Sequence, residues 1–195
     1  YITQCRAQDI YTLAYYPHNI HFLWSAATQL GKSKETIDAA NKCADRMSIE
    51  DLKAAPEFQT FHVVPWYALV RFGKWDEILA KPMPEEEFLF SQGIAHYARG
   101  IAYARKGDLR KARAELKALN DIAKSDEVTP VVFSAPPPEI FAIAMHCLEG
   151  EILAKAENYD EAIYHLDTAV RLQDALPYNE PPDWHYPVRL SLGAV

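Results

Sequence analysis

Apolar positions along this 195-residue chain recur at intervals of three and four, the spacing that lines one face of a helix. The run Ile94-Ala95-His96-Tyr97-Ala98-Arg99-Gly100-Ile101-Ala102-Tyr103-Ala104-Arg105 shows it most clearly. Gly107-Asp108 follows, and then a second amphipathic run with Leu109, Ala112, Leu116 and Leu119 on one side. Glycine tolerates the left-handed backbone that closes a helix, and aspartate caps the next one. The stretch therefore predicts two helices joined by a tight turn. Strands lack support: β-branched residues are scattered, and no Asn-Gly or Asp-Gly turn sits between alternating apolar residues.

The same layout returns downstream. Gly150 matches Gly100, Leu153 matches Tyr103, Ala162 matches Ala112, Leu166 matches Leu116 and Ala169 matches Leu119. Small residues belong where two helices cross closely, and large ones fill the gaps between them. Two looser copies lie upstream: residues 22–31 lead into 35–40, with Cys43 in the later core slot, and 64–73 lead into 74–79. The second of these is stopped by Lys81-Pro82-Met83-Pro84, and residues 187–195 carry the pattern of one more first helix. The expected organisation is one domain, 1–195, with repeats near 17–47, 56–82, 88–124 and 138–174 and a partial one at 183–195.

These residues carry a family resemblance. Gly100, Tyr103, Gly107-Asp108, Ala112, Leu116 and Leu119, echoed by Asn158-Tyr159-Asp160-Glu161-Ala162, resemble the tetratricopeptide repeat, whose period is about 34 residues. Cys5-Arg6-Ala7-Gln8, the stretch from Tyr16-Pro17-His18-Asn19 to Trp24, and Pro181-Pro182-Asp183-Trp184-His185-Tyr186-Pro187 are similar to segments of large bacterial proteins of this class. Trp24 and Trp66 depart from the pattern, standing where the small glycine of that repeat is usual. The resemblance implies an all-α, right-handed α-α superhelix, a solenoid of stacked helical hairpins whose first helices line a groove. It also implies a non-catalytic scaffold that holds a partner protein or peptide there, with no cofactor.

Composition narrows the partners. A net charge of −7 argues against nucleic acid, which requires a basic face. No run approaches 18 consecutive apolar residues, so no membrane span is expected. Three widely separated cysteines, Cys5, Cys43 and Cys147, do not form a disulfide framework and point to a cytoplasmic setting. The chain opens at Tyr1 and stops inside an apolar run at Val195. It reads as a fragment of a longer chain, with self-association expected through exposed repeat ends.

Alignment on the turn residues Gly31, Gly73, Gly107 and Glu157 exposes two further rows. Eleven places earlier stand Ile20, His62, His96 and His146. These rings either pack against the preceding repeat or form a wall that senses pH or grips a ligand. Two places earlier stand Gln29, Arg71, Arg105 and Lys155, a basic row suited to an acidic peptide or a terminal carboxylate. Basic residues near a helix C-terminus are also favoured by its dipole. The lysine and asparagine of the family's carboxylate clamp are replaced by His21 and Ser25, which disfavours a chaperone-tail receptor.

The expected partner groove therefore comprises His18, His21, Tyr67, Arg71, Tyr97, Arg105 and Lys155. His18 and His21 lie three apart in a helix started by Pro17 and can share a face. A zinc ion would need at least one more ligand, and Asp183 and His185 are too remote in sequence to place. A metal-binding, small-ligand or hydrolase-like protein built on these histidines and the 181–185 connector is the competing expectation. Nucleophilic catalysis has little support: Ser25 lies near His21 and Ser91 near His96, but no Gly-x-Ser-x-Gly elbow, His-Glu-x-x-His or phosphate loop is present. Two proline-rich connectors, 125–138 and 178–184, are longer than consecutive repeats require.

Overall fold

The computed structural model describes residues 15–195, and among these the chain is all-helical, without strands. The helices are α1 (Tyr16–Gln29), α2 (Ser33–Ala44), α3 (Ile49–Ala54), α4 (Gln59–His62), α5 (Val64–Arg71), α6 (Trp75–Ala80), α7 (Leu89–Arg105), α8 (Leu109–Ala123), α9 (Pro137–Lys155), α10 (Tyr159–Ala175) and α11 (Arg189–Leu192). A 3-10 turn, Pro56–Phe58, precedes α4. The segment around Cys5 lies outside the described residues.

Local chemistry fixes the boundaries. Pro17, Pro65, Pro137 and Pro138 occupy first-turn positions, where a missing N–H costs nothing. Asp108 caps α8 by accepting from the Lys111 backbone N–H at 3.1 Å. Ser48 and Asp51 form a reciprocal capping box at α3. The tight turns close at Gly31, Gly73, Gly107 and Glu157, with φ of 69°, 65°, 85° and 62°. Glu157 thus adopts the left-handed conformation that glycine supplies in the other three, at a steric cost glycine avoids.

Packing runs in chain order. α1 packs on α2, α7 on α8 and α9 on α10, and these are the most extensive contacts in the fold. Between the pairs, α2 meets α4 and α5, α5 meets α7, and α7 and α8 meet α9. The two glycines at equivalent positions serve different contacts. A Cβ on Gly100 would lie 2.4 Å from Leu148 Cδ2 of the next pair, whereas one on Gly150 would lie 2.6 Å from Leu166 Cγ of its own pair. Trp24 and Trp66 at the corresponding earlier positions are buried, so those crossings are filled by an indole.

The two proline-rich connectors depart from chain order. Residues 130–135, between α8 and α9, reach back past α7: the Val132 N–H donates to Glu57 O at 2.8 Å, and Thr60 Oγ1 donates to Val132 O at 2.8 Å. The segment after α10 also folds back, bringing Trp184 and His185 against Tyr67 of α5 and Tyr97 of α7. Gln173 anchors it by donating to Tyr186 O at 3.0 Å and accepting from the Val188 N–H at 2.8 Å.

Candidate functional site

The residues expected to contact a partner sit on α1 (His18, His21), α5 (Tyr67, Arg71), α7 (Tyr97, Arg105) and α9 (Lys155), and the structure places them in three stations.

The first is a small chamber of about 10 Å³, lined by His21, Trp24, Thr60, Tyr67, Phe133 and Asp183 among others. The His21 and Trp24 rings stack with centroids 5.0 Å apart. His18 lies beside them, 5.3 Å from the Phe133 ring and 4.8 Å from Phe22. Burial, reinforced by the His18 neighbour, holds His21 at about 4, so it is neutral at physiological pH. Burial raises the Asp183 carboxyl, against hydrogen bonds from Asn179, at 2.7 Å, and the Ala135 backbone. His21 and Asp183 thus line one chamber, although sequence distance left Asp183 unplaced. Among the described residues no group of three or more histidine, cysteine or acidic side chains is arranged to hold a metal ion.

The second station is a plug. Tyr67 and Tyr97 are buried, 5% and 0% exposed, because Trp184 and His185 occupy the face in front of them. His185 stacks on Tyr67 at 4.4 Å, and its Nε2 lies 3.3 Å from the Tyr97 hydroxyl. Trp184 meets Tyr97 edge to face at 5.1 Å. Burial, with Arg71 nearby, holds His185 well below its ordinary value. Burial likewise drives both tyrosines upward, leaving neutral hydroxyls. The two tyrosines expected to face a partner therefore bind their own chain.

The third station is open. Arg71, Arg105 and Lys155 are exposed. They border two adjoining cavities of about 290 and 410 Å³ that share Arg105, Glu151, Ser191 and Ala194. Val70, Trp75, Ile101 and Tyr186 supply the apolar wall. Arg105 is tied to Glu151 at 2.6 Å, while Arg71 and Lys155 have no ion-pair partner among the described residues. Glu151, buried and acidic on a basic rim, was not singled out by the sequence pattern.

The histidine row makes contacts of its own. His96 Nδ1 sits 2.6 Å from Glu115 Oε2, and His146 Nδ1 sits 3.0 Å from His165 Nδ1; each partner is 19 residues on, across the same pair of helices. Burial would raise Glu115, but hydrogen bonds from His96 and Arg99 hold it below its ordinary value. Burial and then the His165 ring lower His146. At the equivalent place His62, also lowered by burial, bonds Ser91 Oγ at 3.1 Å. Ser91 is fully buried, so this pair offers no nucleophile to a substrate. Burial pushes the Cys43 thiol up to about 12 and Cys147 higher still, which removes both as nucleophiles.

Compared with known proteins, the chain matches no family model, no curated protein and no solved structure.

Proposed function

We propose that this chain is a non-catalytic binding module of the tetratricopeptide kind, a right-handed stack of helical hairpins whose first helices line a groove. Four features support the architecture: turns at four equivalent positions share a left-handed φ, pairs pack on their predecessors in chain order, Gly100 and Gly150 permit close crossings, and the small slots Ala112 and Ala162 are fully buried. The groove takes an acidic peptide or chain terminus at its open end. One observation carries this: Arg71, Arg105 and Lys155 border two adjoining cavities, one of them walled by Val70, Trp75, Ile101 and Tyr186, and two of these cations have no ion-pair partner among the described residues. Carboxylates meeting such a rim form charge-assisted hydrogen bonds.

The test is fluorescence anisotropy with a labelled octapeptide of Asp and Glu. Arg71→Glu/Lys155→Glu leaves the Arg105–Glu151 pair intact and is expected to weaken binding by about tenfold or more, with raised salt weakening the wild type. Equal affinity of variant and wild type removes the basic end from the account.

No helix among the described residues is long and apolar enough to cross a membrane. Exposed apolar side chains do occur on α1 and at its C-cap, at Phe22, Leu23 and Leu30, and on α10, at Tyr159, Ile163 and Tyr164. These faces support self-association as a second mode of contact. Light scattering across concentration measures it, and a monodisperse monomer at all concentrations counts against it.

A further inference from the structure

His146 of α9 differs from the other members of the histidine row in what it faces. His62 meets a hydroxyl, and His96 meets a carboxylate that Arg99 also holds, at 2.9 Å. The group facing His146 is a second imidazole, His165 of α10, Nδ1 to Nδ1 at 3.0 Å with ring centroids 5.1 Å apart. Both rings line an open cavity of about 640 Å³, together with Met145 and Glu149 of α9 and Arg113 and Lys117 of α8. Burial and the His165 neighbour lower His146, so that ring is neutral at physiological pH and keeps a nitrogen lone pair to offer.

We propose that His146 and His165 form a two-histidine site for a divalent transition metal ion of the copper, nickel or zinc class, bound through both Nδ1 atoms. Imidazole is a ligand that these metals favour. Two metal–nitrogen bonds of about 2.0–2.1 Å span about 2.9 Å at a right angle and about 3.3 Å at the tetrahedral angle. A separation of 3.0 Å therefore lets one ion reach both nitrogens. The hydrogen bond between the rings is no obstacle. Of two neutral imidazoles, one places its proton between the nitrogens, and moving that proton to Nε2 frees both lone pairs without changing the charge.

Among the described residues no third histidine, cysteine or acidic group converges on the pair, so water from the cavity completes the shell. The neighbouring cations are both paired: Arg113 with Glu149 at 3.3 Å, and Lys117 with Asp121 at 2.6 Å. Tyr164 meets His165 edge to face at 5.4 Å and steadies that ring. Because the two ligands come from α9 and α10, a bound ion ties that helical hairpin together and stabilises it by mass action. The site uses none of the residues of the basic end and neither His18 nor His21.

The experiment adds Cu2+ alone, in substoichiometric steps near neutral pH, to the 15N-labelled chain carrying no affinity tag. The paramagnetic ion is expected to broaden the amide signals of residues 142–149 and 162–168 first, leaving those of residues 17–24 and 181–185 sharp. His165→Gln, with its folding checked by circular dichroism, is expected to need about tenfold more Cu2+ for the same broadening, since one imidazole then remains. His62→Gln is expected to respond as the wild type does. Broadening that starts elsewhere, or an equal response of wild type and His165→Gln, overturns the proposal. Because the wild type alone locates the ion, the test survives a variant that folds poorly. Loss of acidic-peptide binding would leave this result untouched.

Discussion

Tyr67 and Arg71 lie one helical turn apart on α5, and Tyr97 and Arg105 two turns apart on α7, yet the members of each pair meet different surroundings. The tyrosines are sealed beneath Trp184 and His185, while the arginines face open cavities. The tyrosines are thus covered by their own chain, and the arginines are not. A side chain's place on a helix decides which face it occupies, but a connector arriving from far along the sequence decides whether that face is free. The same connectors tie α4, α5 and α7 to segments far along the chain, contacts that make unfolding more cooperative.

The contrast can be broken most strongly at the plug. Trp184→Ala empties a fully enclosed site against both tyrosines and is expected to cost about 3–5 kcal/mol, with a broader unfolding transition, in urea denaturation followed by circular dichroism. Next comes pH. His21 stays neutral in the fold down to about 4, whereas an unfolded imidazole protonates near 6.5. The unfolded chain takes the proton first, so stability present above 6.5 is lost as pH falls toward 4. Between pH 7 and 5 His21 alone accounts for about 2 kcal/mol, and His185, lowered too, acts in the same direction. His21→Phe should flatten the profile over that range; an unchanged slope would show that His21 is not the source.

Smaller effects sharpen the comparison. Thr60→Val removes the hydrogen bond to Val132 O of the 130–135 connector and is expected to cost about 1 kcal/mol, together with faster hydrogen exchange through those residues. Arg71→Ala at the open end should change stability by less than about 0.5 kcal/mol, since its head group has no ion-pair partner among the described residues. A large loss there would mean the open end is part of the structural core.

What the sequence made legible follows from how local each signal is. The turns at Gly31, Gly73, Gly107 and Glu157 were visible because a helix stop depends on a few adjacent residues, and alignment on them located Arg71, Arg105 and Lys155 at helix ends. The plug was not visible. His185 reaches Tyr97 across 88 positions, from a segment without periodicity, and nothing in Asp183-Trp184-His185 states which helices it meets. Phe133 was hidden for the same reason. The histidine row was found by register, but its chemistry depends on the partner 19 residues on, glutamate for His96 and histidine for His146.

The most direct measurement is hydrogen exchange with and without a saturating acidic peptide. Slowed exchange at the C-terminal ends of α5, α7 and α9 and through residues 186–194, with residues 17–24 and 181–185 unaffected, is the predicted footprint. Protection confined to residues 17–24 and 181–185, with the basic end unaltered, would contradict it.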